Sequence, residues 1–119
     1  VGNHDGGWLK EMDASHHFLS VDHLIEISDG KHKLVLCHYP VMCWKHELKS
    51  YMIHGHIHNN TNAPYWSVIR NNPRLLNAGT DINSFEPVSF DEMLANNESF
   101  KTGAPDGNDR LYRIKEVQE

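Results

Sequence analysis

Apolar residues in this chain fall into short runs divided by turn signals. Within residues 18–28 the apolar positions are Phe18, Leu19, Val21, Leu24, Ile25 and Ile27, and residues 33–37 are apolar again. Asp29-Gly30 separates the two runs, and such a dipeptide suits a tight turn, so the pair predicts a β-hairpin. Leu34-Val35-Leu36-Cys37 is apolar at consecutive positions, which places it inside a sheet with both faces covered. Pro40 pushes Tyr39 toward extended backbone and ends that strand. Residues 41–49 read as a weak helix, favoured by Met42 and by the stretch 45–48. Residues 51–53 form the next strand, which runs into a loop with His54, His56 and His58 on alternate positions.

The connection 59–66 is rich in turn residues, including Pro64. Residues 67–70 and 74–78 read as strands around Asn71-Asn72-Pro73, with Gly79 ending the second. Ser89 followed three residues later by Glu92 is a capping box, so a helix is predicted over 90–96. At the front, Asp5 is placed to cap a short helix over 8–12, and Gly6 and Gly7 ease the entry. Residues 101–109 form a Gly/Pro/Asp/Asn loop, and 111–117 fits a strand or a frayed helix equally. Strands interleaved with short helices predict an α/β fold in one domain, residues 1–119. In open α/β sheets ligands gather beyond the carboxyl ends of strands, and Asn3, His38 and the loop 54–58 take such positions in this reading.

Composition narrows the function. A chain of 119 residues suits one domain, and a net charge of -5 disfavours broad binding to a nucleic-acid backbone, which needs clustered Lys and Arg. No apolar run reaches transmembrane length, so no membrane partner is expected. Cys37 and Cys43 lack CxxC spacing and read as free thiols of a reducing compartment, so a cytoplasmic setting is expected. Histidine is the unusual count: there are ten, dispersed rather than consecutive, and imidazole is the commonest metal-binding side chain.

On a flat strand, histidines two apart point to the same face. Gly55 permits a bend in the loop that would turn His56 and His58 apart from one another. Two imidazoles diverging from one loop suit two neighbouring metal ions, and paired metals about 3.5–4 Å apart serve phosphoester hydrolysis. His38 adds a third imidazole, Asn3 adds a neutral amide oxygen suited to a hard divalent ion, and His4 is then left to face substrate. Asp5 reads equally as a helix cap and as an outer support of the site. His16, His17, His23, His32 and His46 read as structural, Tyr39, Trp44 and Trp66 as packing, and Asn59 and Asn60 as turn residues.

In this order, Gly2-Asn3-His4-Asp5, His38-Tyr39-Pro40 and Gly55-His56-Ile57-His58 resemble the motifs of the calcineurin-like metallophosphoesterase family. Leu76-Asn77-Ala78-Gly79-Thr80-Asp81-Ile82-Asn83 and Pro87-Val88-Ser89-Phe90-Asp91-Glu92 look like the tail of its small prokaryotic and phage-type members. The resemblance implies a β-sandwich flanked by helices and a hydrolase acting on a phosphate mono- or diester, with nucleic acid among the conceivable substrates. It implies that Asn3, His38 and His56 hold one divalent ion and His58 the other, with Asp5 and Gly55 in outer support. His4 would stabilise the transition state or protonate the leaving alkoxide. A hydroxide bridging the ions would attack phosphorus in line. Mn²⁺ is the ion implied, and Fe, Zn²⁺ and Ni²⁺ suit the same donors.

The family's first two motifs, Asp-x-His and Gly-Asp-x-x-Asp, occur nowhere in this sequence. They would supply the bridging carboxylate, most ligands of the first metal and the aspartate behind the histidine equivalent to His4. The chain therefore corresponds to the C-terminal portion of such an enzyme. Open sheet edges are expected, to be completed by a missing N-terminal segment or a second copy of the chain. Two other functions fit less of the pattern: a non-catalytic scaffold that binds a partner protein, and a mononuclear metal-binding module.

Overall fold

The structure, a computed structural model, describes residues 1–103, and the expectation for 111–117 lies outside them. The fold is mixed α/β. Four strands form one sheet in the order β1-β2-β3-β4. β1 (Leu24–Ser28) and β2 (Lys33–Cys37) make the antiparallel hairpin, β2 pairs in parallel with β3 (Tyr51–His54), and β3 pairs in parallel with β4 (Leu75–Asn77). The helices are α1 (Gly6–Glu11), α2 (Trp66–Asn71) and α3 (Phe90–Thr102), with short 3₁₀ turns at Ala14–His16 and Thr80–Ile82. Among the described residues there is one sheet and no second layer of strands, and no helix is long and apolar enough to cross a membrane.

The hairpin turn closes as its sequence demands. Gly30 takes φ 87°, and the Asp29 carboxylate accepts from the Lys31 amide at 2.8 Å, from the His32 amide and from His32 Nδ1 at 2.8 Å. Those donors hold the Asp29 carboxyl far below the usual carboxylate range. Only the end of the 18–28 run becomes strand. Phe18, Leu19 and Val21 stay exposed, because Leu24 is already opposite Cys37, the last residue of β2.

Two expected elements are corrected. Residues 41–49 form turns instead of a helix. His46 sits at φ 58°, which interrupts α-helical backbone, and the Ser50 hydroxyl lies 3.0 Å and 2.9 Å from the Lys45 and His46 carbonyls. The segment is pinned by Trp44, which is buried and donates its indole N–H to Ser50 Oγ at 2.9 Å. Residues 67–70 belong to α2 and not to a strand. A parallel β3–β4 pair needs a crossover connection, and tertiary context outweighs the β-branched Val68 and Ile69. The remaining differences are of length. β4 is Leu75–Asn77 within the predicted 74–78, α1 begins two residues before the predicted 8–12, and α3 runs past Asn96 to Thr102.

The core lies on one face of the sheet. Val35, Met52 and Leu75 are register partners on adjacent strands, and Trp44, Ile57 and Ile69 complete their buried cluster. On the opposite face Ile25, Leu36 and Ile53 form a row that is only half-buried, whereas Leu76 in the same row is covered.

The β4 edge is closed, against the expectation of open edges. Asn97 of α3 accepts from the Asn77 amide at 2.7 Å and donates to the Asn77 carbonyl at 3.0 Å, so its side chain pairs with the strand as a neighbouring backbone would. Lys101 Nζ donates to the outward Leu75 carbonyl and, at 2.7 Å, to that of Asn72. These bonds give α3 a reason to continue through two asparagines, which are weak helix formers.

Burial lowers the Lys101 pKa from 10.5 to about 8. The unfolded chain keeps that proton up to pH 10.5, and the folded chain releases it above about 8. Between these values the unfolded state binds more protons, so stability rises with pH; below about 8 the contribution is flat. The neutral amine still has two N–H donors for its two carbonyls. Urea midpoints measured at pH 7.5, 8.5 and 9.5 are expected to climb more steeply in the wild type than in Lys101→Met, where this component is lost.

Candidate metal and phosphoester site

The site forms where β2 and β3 end. His38 follows β2 directly, and its carbonyl accepts from the Gly55 amide at 2.9 Å, which carries the parallel ladder one step beyond the strands. The N-terminal segment lies beside them. The Val1 amino group donates to the Asp22 carbonyl at 2.9 Å, and the Gly2 amide donates to Asp5 Oδ2 at 2.5 Å. Gly2 packs flat against the His38 ring: a Cβ there would stand 3.2 Å from both Asp5 Oδ2 and His38 Nδ1. Asp5 has no helix-capping bond; its carboxylate takes the Gly2 amide and, at 3.2 Å, the Trp8 indole N–H. The Gly2 amide chiefly, with the Trp8 donor, the N-terminal charge and His38, keeps the Asp5 carboxyl below its ordinary pKa.

The loop after β3 bends, but not at Gly55. Positive φ falls on His56 at 65° and on His58 at 51°, a left-handed conformation that costs a non-glycine residue about 1–3 kcal/mol. Ile57 between them is buried in the core cluster. With Ile57 turned in, both flanking histidines are turned out and exposed. The side chain of Asn77 anchors the loop, donating to the His58 carbonyl at 2.7 Å while its Oδ1 accepts from the Gly79 amide at 2.8 Å.

Three predicted donors meet. Asn3 Oδ1 lies 2.7 Å from His38 Nε2, and His56 Nδ1 lies 3.2 Å from the same nitrogen. Two donor atoms bound to one ion at about 2.0–2.1 Å sit roughly 3.0–3.4 Å apart, so the spacing matches a shared ion after shifts of a few tenths of an ångström. Burial first, then the neighbouring His56, lowers the His38 pKa and favours its neutral imidazole, the form that binds a metal. The Tyr39 ring closes one side, with centroids 4.6 Å from His56 and 5.0 Å from His38. His4 stands next to the trio, its Nε2 3.3 Å from Asn3 Nδ2.

His58 is held separately. Its Nδ1 lies 2.8 Å from Asp81 Oδ2, a carboxylate in the turn Thr80–Ile82. Among the described residues no three His, Cys, Asp or Glu side chains gather as a metal ion would require. Asp81 and Asn77 were not singled out in the sequence. Asn77 carried one signal, a polar side chain closing an otherwise apolar strand, whereas Asp81 looked like any turn aspartate. His54 is also buried, with Nδ1 3.0 Å from the Gly55 carbonyl, and burial keeps it neutral. Cys37 and Cys43 are both free thiols.

Comparison of the chain with known proteins returns no matching family model, no matching curated protein and no matching solved structure.

Asn77→Ala removes the partners of the His58 carbonyl and the Gly79 amide while leaving the strand pairing with Asn97 in place. At about 1–3 kcal/mol for each group left unpaired, two groups give about 2–6 kcal/mol, and because both bonds are only part-buried the lower half of that range is the expected loss of stability, read from urea unfolding.

Proposed function

We propose that this chain forms the C-terminal part of a calcineurin-like, metal-dependent phosphoesterase that hydrolyses a phosphate mono- or diester. The observation that carries the reading is the meeting of Asn3, His38 and His56, which come from three separate segments, at one point beyond the strand ends. Asn3 Oδ1, His38 Nε2 and His56 Nδ1 would hold one divalent ion, Mn²⁺ by the resemblance, and His58 would contribute to a second. Bound there, the ions supply charge neutralisation on the phosphoryl oxygens and an acidified water. His4, on the exposed side of Asn3, meets the substrate and protonates the leaving oxygen. Tyr39 and Gly2 keep the two imidazoles in place. A scaffold that only binds a partner has no chemical need for three converging donors.

The missing carboxylates belong to the same proposal. A groove of about 420 Å³ runs from Val1 and Gly2 across Ile25, Leu36 and Ile53 to Gly79, with His38 on its wall. A segment N-terminal to this chain, or a second copy, would cover that half-buried apolar row, complete the β-sandwich and bring carboxylates to the ions. One observation favours the narrower reading of a mononuclear module: Asn3, His38 and His56 meet one another, while His58 is paired separately with Asp81. Elemental analysis separates the two, with two ions per assembled site expected here and one for the module.

Hydrolysis of bis(p-nitrophenyl) phosphate with Mn²⁺ by the complete polypeptide tests the function. His56→Ala is expected to lower kcat more than about 100-fold, since even outer-sphere partners of a metal cost about 10–100-fold. Equal rates for the two proteins end the reading. The 119-residue chain assayed alone is expected to give less than about one-hundredth of the complete protein's rate, on the same magnitudes.

A further inference from the structure

Asp81 enters none of the motifs that suggested a metal site, yet it makes the closest described contact to the exposed ring of His58. We infer that Asp81 is a positioning residue: its carboxylate fixes the His58 imidazole as the Nδ1–H tautomer and turns the Nε2 lone pair outward as a metal-directed donor. The tautomer follows from geometry alone, whereas the metal role rests on the proposed function.

The hydrogen-bond chemistry is restrictive. An ionised carboxylate only accepts, so a neutral imidazole 2.8 Å from Asp81 Oδ2 must carry its hydrogen on Nδ1. Nε2 is then unprotonated, and the nitrogen that a partner leaves free is the one that binds a metal. A free neutral imidazole in water favours the opposite tautomer, so the pairing has a consequence that a ring in solvent would not show.

The pair is asymmetric. The His58 side chain is 76% exposed and Asp81 only 14%, so the carboxylate is the fixed member and the ring is the one presented to solvent. Both are tied to one buried residue. Asn77 Nδ2 holds the His58 carbonyl at 2.7 Å, while Asn83 Nδ2, just past the turn that carries Asp81, donates to the Asn77 carbonyl at 3.1 Å and the Gly79 carbonyl at 2.8 Å. A chance surface ion pair between mobile side chains has no such framework and contributes about 0–1 kcal/mol. Here the backbone on each side is held before the ring and carboxylate meet.

The test is long-range ¹H–¹⁵N correlation on the ¹⁵N-labelled 119-residue chain at pH 8, which reads the protonated nitrogen of each imidazole directly. His58 is expected as the Nδ1–H tautomer, shifting toward Nε2–H in Asp81→Ala, with the other histidines unchanged. Zn²⁺ titration of the same proteins by calorimetry is expected to show about 10–100-fold weaker binding in Asp81→Ala, partly restored in Asp81→Glu. An Nε2–H tautomer at His58 in the wild type overturns the inference, and that reading needs no variant to fold. Zn²⁺ affinity unchanged by Asp81→Ala likewise overturns it. A failure of the phosphoesterase reading shows up separately, as equal rates for wild type and His56→Ala.

Discussion

The arrangement of this molecule depends on the hydrogen bonds of one buried amide, Asn77. Its main-chain N–H and C=O are taken by Asn97, its Oδ1 by the Gly79 amide, and its Nδ2 by the carbonyl of His58. Asn83 Nδ2 shares the Asn77 carbonyl with Asn97, and Asn96 donates to Asn83 Oδ1 at 3.1 Å. In a medium of low dielectric an unpaired polar group is costly, so a cluster of this kind is stable only when nearly every member is satisfied. Helix α3, the edge of β4, the turn holding Asp81 and the histidine loop are thereby fixed relative to one another. The capping box at Ser89 and Glu92 starts α3 in the right place, and the edge bonds of Asn97 and Lys101 keep it there.

The same network explains how the loop after β3 sustains two left-handed histidines, His56 and His58, on either side of Ile57. Neither backbone conformation is favourable for a side chain with a Cβ. Burying Ile57 contributes about 1.5–3 kcal/mol, and the Asn77–His58 bond fixes the second strained residue, so the geometry is held by its surroundings. A flat strand would have sent His56 and His58 to the same face, side by side. The loop instead sends both away from the core, one toward His38 and the other toward Asp81.

Much of this was legible in the sequence. The hairpin, the interior position of β2 and the capped final helix follow from local rules, because turn chemistry and apolar runs each act over a few residues, whereas the grouping of Asn3, His38 and His56 is expected only from strand-end placement and the family resemblance. What was hidden depends on distant partners. Whether residues 41–49 coil depends on Trp44 finding Ser50 and the core. Whether 67–70 is strand or helix depends on the direction of β4. That the β4 edge is closed depends on Asn97 and Lys101 meeting residues twenty and twenty-six positions away. Asp81 shows the same limit: its partner His58 is twenty-three residues earlier, and no spacing rule links them.

The composition of the donor set bears on what completes the site. Under the proposed function the donors are two imidazoles and an amide, none of them an anion, and among the described residues no carboxylate joins Asn3, His38 and His56. The two nearest carboxylates are already committed, Asp5 to the Gly2 amide and the Trp8 indole, and Asp81 to His58. The chain's overall charge of -5 does not substitute, because exposed charges more than about 10 Å away are largely screened at ordinary ionic strength. Under the proposed function, the negative charge would arrive on a group able to approach His38 and Asn3 directly, and the groove bordered by Gly2, His38 and Gly79 is such an approach. Its floor is a row of the sheet, Ile25, Leu36 and Ile53, that the described residues leave half-covered, so on that proposal one incoming segment would both bury apolar surface and deliver the charge.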